Sequence, residues 1–220
     1  MMRELLLSSC LCLFSLAGAA TGAELPVTGE QLLKTTLARP AAQLAKAQVL
    51  SGRFTHRKHL REIPKPLTAT GDFVFARELG VYWHTQKPFD SVVVLTSKGI
   101  LEKAEGAQTL NLSADEQPAV RMIANVFLAL FTLDMNALER NFQLFTADTV
   151  AGRWTIVLKP RGGAIASVFV HATVSGTNDV EQVVLTDAHG DRTVIDLTGI
   201  EYSNAAPSAA TRALFNATRP

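Results

Sequence analysis

Cysteine is nearly absent from this chain. Its two cysteines, Cys10 and Cys12, stand close to the start, and everything after them lacks a thiol. That excludes disulfides and cysteine-ligated metals from the remainder. Long hydrophobic runs are scarce too. The apolar run at 5–16 is too short for a comfortable transmembrane helix, and no later run is long enough to span a bilayer. Charge of one sign is missing: 21 Lys and Arg against 20 Asp and Glu leave a net charge of +1, so bulk charge gives no reason to expect nucleic acid. No G-x-S-x-G elbow, P-loop or G-x-G-x-x-G fingerprint occurs. His56 and His59 are spaced as His-x-x-His, but on a strand an odd separation puts them on opposite faces, with Arg57 and Lys58 between them. Asp187, His189 and Asp191 crowd a hairpin turn, where Asp and Gly serve the backbone. No metal, cofactor or catalytic residue is therefore expected.

What is present begins with an export pattern. Arg3 precedes the apolar run at 5–16, and Ala17-Gly18-Ala19-Ala20-Thr21-Gly22-Ala23 supplies small residues. The pattern predicts a signal peptide over 1–23, cleaved after Ala23, with cleavage after Ala19 as the alternative. Leu7-Ser8-Ser9-Cys10 has the shape of a lipoprotein box, yet almost no hydrophobic segment precedes it. The expectation is an exported protein whose remaining ~200 residues suffice for one core without disulfides.

Thr28-x-x-Gln31 reads as a capping box, and Leu32, Leu33 and Leu37 follow at helical spacing. A helix over 28–48 in two pieces is predicted, broken or restarted at Pro40. From Ser51 the period falls toward two. Strands are predicted at 51–59, 68–77, 80–87, 91–96, 98–104 and 107–111, separated by short polar or Gly/Pro links. Then Ala119, Met122, Ile123, Val126, Phe127, Leu130 and Phe131 recur at helical spacing, with Asp115 as the expected N-cap and Pro118 in the first turn. Asp134 is placed to cap a short helix over 135–141. Strands resume at 142–147, 152–159, 165–171, 179–186 and 190–201. The domain is bounded at 24–203, and the tail 204–220 is expected to dock loosely through Leu214 and Phe215.

A sheet of about eleven antiparallel strands twists and curls. The predicted class is mainly β with added helices (α+β): a curled, incomplete β-barrel whose concave apolar face is covered by helical lid segments. Periodicity leaves open whether the interior is solid core or cavity.

The stretch "GDFVFARELGVYWHTQKPFDSVVVLTSKG", 71–99, poses one question. Phe73, Phe75 and Arg77 alternate on one strand face, and a guanidinium following two phenylalanines needs acceptors for its five donors. This stretch, the strand beginning "GRFTHRK" at Gly52, the central helical insertion and the C-terminal meander resemble, in order, the LolA family of periplasmic lipoprotein carriers. The resemblance implies an incomplete barrel closed by a helical lid over a cavity for acyl chains. It also implies that Arg77, six residues before Trp83, lies inside the cavity and hydrogen-bonds the lid. Two departures stand out. Glu78 occupies a position where the family usually has proline. The loop "LREIPKPL" is more similar to a divergent branch found with biosynthetic clusters for aryl-polyene or similar lipid-like products.

Read with that resemblance, Phe73, Phe75 and Trp83 are candidate cavity-wall residues. Met122, Val126, Phe127 and Leu130 are candidates for the lid's apolar face, where flexible and large apolar side chains suit a variable chain. Ordinary core packing is the other reading of all seven, and a strand-end arginine reaching solvent is the other reading of Arg77. The implied activity is carriage: a monomer takes an acylated lipoprotein or lipid-like cargo from an inner-membrane transporter and passes it to an outer-membrane acceptor, without covalent chemistry. The basic run "THRKHLR" fits transient contact with an anionic membrane surface or an acidic partner, or else a solvated edge strand. Two other functions stay open: a non-transferring lipid- or lipoprotein-sensing module with a membrane partner, and an accessory enzyme or scaffold in lipid-product biosynthesis.

Overall fold

The computed structural model describes residues 26–146 and 152–216. The side chains of Pro118, Ala119, Ile123, Ala164, Val168 and Phe169 fall outside that description. So do the expected signal peptide, the last residue of the strand predicted at 142–147, Ala151 of the following turn, and the end of the tail.

A short strand β1 (Pro26–Val27) leads into α1 (Gly29–Thr35) and α2 (Ala38–Lys46). Thr28 caps α1, its Oγ1 accepting from the Gln31 N–H at 3.2 Å. The break falls at Thr36 and Leu37, so Pro40 sits in the first turn of α2, where a missing N–H costs nothing. Six strands follow: β2 (Val49–His59), β3 (Leu67–Ala76), β4 (Gly80–Lys87), β5 (Ser91–Thr96), β6 (Gly99–Ala104) and β7 (Ala107–Ser113). Next come α3 (Pro118–Thr132), α4 (Met135–Asn141), β8 (Phe142–Thr146), β9 (Trp154–Pro160), α5 (Gly163–Val168), β10 (Phe169–Gly176), β11 (Val180–Asp187), β12 (Arg192–Ser203) and α6 (Ala209–Asn216).

All twelve strands form one sheet in the order β1-β8-β9-β10-β11-β12-β2-β3-β4-β5-β6-β7, with the paired neighbours antiparallel. β1 and β7 are its edges, so the barrel is incomplete, as the sequence predicts. The two halves of the chain join at β2 and β12, where Phe54 faces Leu197 and Leu50 faces Tyr202. The register sets the β2–β3, β4–β5 and β11–β12 turns at one end of the sheet: Leu67 opposes Lys58, Lys87 opposes Thr70, and Arg192 opposes His59.

Three local expectations are corrected. The segment 165–171 is not a strand: 163–168 is helical and the strand starts at Phe169, running on to Gly176. Gly162 and Gly163, both at positive φ (136° and 70°), turn the chain into that helix. A short apolar run cannot be divided between helix and strand by periodicity alone. The N-cap of α3 is Gln117, because Pro118 takes the first helical position; Asp115 accepts instead from Arg121 Nη2 at 2.9 Å. β1, a two-residue strand beside β8, raises the count to twelve. Asp134 does cap α4, accepting from the Ala137 N–H at 2.9 Å.

The main core lies on the concave face, between the sheet and α1–α5. A smaller apolar cluster forms on the convex face, where Phe215 of α6 covers Ala76 and Val94 and its ring lies 6.2 Å from that of Tyr82. Where α1 crosses α4, a Cβ on Gly29 would stand 2.7 Å from Met135 Cβ, so only glycine allows this approach.

Candidate functional site: an apolar cavity beneath a helical lid

Alternation along β2, β11 and β12 turns Leu50, Val183, Leu185, Ile195 and Leu197 to the concave face. Together with α3 they enclose a cavity of about 100 Å³. Leu44 of α2 and Val126, Phe127, Leu130 and Phe131 of α3 form its roof, and Trp83 of β4 part of its wall. Its lining side chains are hydrocarbon or aromatic; only Trp83 and Tyr202 carry a polar atom. The Tyr202 hydroxyl donates to the Asp179 carboxylate. Burial first, then that hydrogen bond and the Asp179 charge, push its pKa well above the usual tyrosine value. The hydroxyl stays protonated and held by its partner, leaving the ring to line the cavity.

The size decides what this closed form can hold. An apolar cavity of roughly 150 Å³ takes benzene, so about 100 Å³ does not admit a long acyl chain. Occupancy by such a chain requires the roof to move. Phe131 anchors the roof: its ring lies 5.6 Å from that of Phe75, near parallel at 5°, and 5.7 Å from that of Phe73. Trp83 is stacked on Phe54 at 3.8 Å and lies 5.9 Å from Phe73. Such ring pairs contribute about 0.5–1.5 kcal/mol each beyond area burial, enough to favour the closed roof without locking it.

The candidate residues thus divide. Trp83, Val126, Phe127 and Leu130 line the cavity. Phe73 and Phe75 are buried behind Phe131 and do not reach it, and Met122 packs on the core away from it. Arg77 is not inside the cavity; it sits one residue past β3, an exposed residue whose guanidinium is folded, partly buried, onto the C-terminal end of α2. Nη2 donates to the Leu44 carbonyl at 2.6 Å and to the Ala47 carbonyl at 3.1 Å, and Nε donates to Ala47 at 3.2 Å. The Leu44 carbonyl already accepts from the Ala47 N–H at 3.2 Å, so the guanidinium adds a second donor there and caps the Ala47 carbonyl, and a cation at this helix end also complements the helix dipole. The question posed by the sequence is answered by α2, whose Leu44 gives its carbonyl to Arg77 and its side chain to the cavity roof.

Tyr202, Leu44 and the lining residues of β11 and β12 were not singled out by the sequence. Their signal was the period-two alternation Val183-x-Leu185 and Ile195-x-Leu197, which marks a buried face but not which cavity it faces. Among the described residues, no group of three or more His, Cys, Asp or Glu side chains is placed to hold a metal ion, and no helix is long and apolar enough to cross a membrane.

An open, curled antiparallel sheet with an apolar cavity under helices defines the incomplete-barrel fold class. Residues 45–216 match the family described as outer membrane lipoprotein carrier protein LolA, and the chain belongs to that family. Members of this family are periplasmic carriers rather than enzymes, and bind lipoprotein or lipid cargo. Among solved structures, the chain is similar to a LolA superfamily protein from Nitrosomonas europaea, at 7% identity and a TM-score of 0.44, covering 80% of this chain and 94% of that one. It is also similar to a putative outer membrane lipoprotein-sorting protein domain from Vibrio parahaemolyticus, at 8% identity and a TM-score of 0.43, covering 86% and 100%. No curated protein matches.

Proposed function

We propose that this protein is a periplasmic carrier that shields the acyl or other apolar part of a lipoprotein or lipid-like product on its way toward the outer membrane. Export by the segment 1–23 brings it to that compartment. An inner-membrane transporter loads it and an outer-membrane acceptor unloads it; the chain itself binds and releases without making a covalent bond. The observation that carries this reading is the double use of Leu44, which puts one residue in both the cavity roof and the acceptor pair of Arg77. A chain pushing Leu44 aside also pulls its carbonyl from the guanidinium. Giving up these partly exposed bonds costs about 1–3 kcal/mol. Burial of hydrocarbon returns about 0.8 kcal/mol per CH₂, so a few methylenes offset the latch and a longer chain holds the lid open.

The test is native mass spectrometry of the protein isolated gently from periplasm, followed by organic extraction. A stoichiometric acylated or polyene compound is the expected result. A clean unliganded mass, together with failure to take up added lipids, would sink the carrier reading.

A further inference from the structure

We propose that the sheet end formed by the β2–β3 and β4–β5 turns is a docking face for an anionic lipid bilayer. Three large apolar side chains project there: Ile63, Leu67 and Phe89, the last 72% exposed, the highest of the exposed large apolar residues. The register makes them neighbours. From the rung pairing Thr70 with Lys87, β3 reaches Leu67 three residues back and β4 leads to Phe89 two residues on. At ~3.3 Å per residue both tips extend roughly 7–10 Å beyond that rung. Ile63 lies in the intervening β2–β3 loop.

The surrounding charge selects the partner. Arg61, Lys65 and Lys87 are exposed and form no ion pair among the described residues. Lys58 flanks them on β2, and Arg192 opposes His59 on the next strand. The nearby carboxylates are Glu62, Asp90, Asp187 and Asp191; Asp90 Oδ2 lies 2.8 Å from His84 Nε2, Asp187 accepts from the His189 and Asp191 N–H groups at 2.9 Å, and Asp191 accepts from the Arg61 N–H. Arg61 is held in the group: its Nη1 donates to the His189 carbonyl at 3.2 Å, and its backbone N–H to Asp191 at 3.1 Å. Pro64, Pro66 and Pro88 remove backbone donors from both loops, so the tips offer poor pairing for a strand of another protein. Apolar tips ringed by free cations match the lipid interface, where rings and aliphatic side chains enter the acyl boundary and cations meet phosphate.

This face lies apart from the cavity, so the inference stands whether or not the cavity takes a cargo. The experiment is co-sedimentation of the unliganded, processed protein with vesicles of phosphatidylcholine alone and of phosphatidylcholine with phosphatidylglycerol. Binding is expected on the mixed vesicles only, weakening with salt. Phe89→Asp is expected to lower the partition coefficient about tenfold or more, and Lys65→Glu and Lys87→Glu by at least about fivefold each. All these positions are solvent-facing, so melting temperatures should not move. If a Phe89→Asp protein melts low, the two lysine variants decide. Absence of binding to mixed vesicles, or variants that bind like the parent, would overturn the proposal. It would equally be overturned if Phe89→Asp left vesicle binding unchanged but dissociated a dimer in sedimentation equilibrium, because the occupant would then be a second copy.

Discussion

Replacing Arg77 with methionine keeps an unbranched side chain of similar reach and removes every donor. The structure fixes what is lost: two bonds to the Ala47 carbonyl at 3.1 and 3.2 Å and one to the Leu44 carbonyl at 2.6 Å. A hydrogen bond from a charged group is worth about 1.5–3 kcal/mol when shielded. Arg77 is exposed, so solvent screening brings the total for all three to about 1–3 kcal/mol. That free energy stabilises the closed, empty form. Its loss should raise the frequency of lid opening by about 5- to 150-fold. Amide hydrogen exchange would read this as lost protection in α2 and α3, with the β2–β12 pairing unchanged. Because less work is then needed to open, affinity for a fluorescent fatty acid should rise by the same factor. Arg77→Lys should fall between, since a lysine keeps the charge but has no counterpart of the Nε donor to Ala47, and its ammonium is held less rigidly than the planar guanidinium whose Nη2 meets both carbonyls. Unaltered exchange in α2 together with unaltered affinity would refute the latch.

Ala172 is buried and lines the cavity. Ala172→Leu should fill the space, costing about 1–3 kcal/mol by overpacking and abolishing uptake of acyl probes in a fluorescence titration; retained uptake would place the ligand elsewhere. Tyr202→Phe removes the hydroxyl that donates to Asp179. A loss of about 1 kcal/mol is expected, read as a melting point about 2–4 °C lower, with acyl uptake intact. His56 is half-buried, and burial first, then the charge of Lys58, lowers its pKa from the ordinary 6.5. The unfolded chain then takes the proton first, so this contribution is full above pH 6.5 and lost as pH falls below it. Melting points taken between pH 7 and 5 should fall more steeply for the parent than for His56→Gln; parallel slopes would show that His56 is not desolvated.

Local pattern carried the fold further than it carried the site. β4 and β5 are bounded as the sequence predicts, because Glu78-Leu79-Gly80 and Pro88 stop a period-two signal sharply. α3 is likewise legible: from Pro118 on, a helical apolar stripe runs uninterrupted to Leu130 and Phe131. The segment 163–176 failed because Gly162-Gly163 opens either a turn or a helix, and Ala-Ile-Ala-Ser-Val-Phe-Val satisfies both periods. The cavity was half legible for a different reason. Its wall is completed by β11 and β12, which reach α3 only because β12 pairs with β2 across more than half the chain. Nothing local in the sequence encodes that pairing. Phe73 and Phe75 look like wall residues until Phe131 is seen to cover them.

The end of β3 shows how a departure from the family pattern is accommodated. Consecutive residues alternate across a strand, and the alternation continues past Ala76: Arg77 folds onto α2 on the concave side, while Glu78 faces Arg212 of α6, its Oε2 3.7 Å from Nη2. The backbone between them is fixed by the Arg77 N–H donating to Gln48 O at 3.0 Å and the Leu79 N–H donating to Ala76 O at 2.9 Å. A proline at 78 would give the turn its stiffness directly. Here the turn is instead held from both faces, by α2 through a guanidinium and by α6 through Phe215 packed on Ala76. The exposed Glu78–Arg212 pair contributes at most about 1 kcal/mol, so the burial of Phe215 dominates. The C-terminal helix is therefore part of what keeps the strand end bearing Arg77 in place, and the tail belongs mechanically to the same rim as the latch.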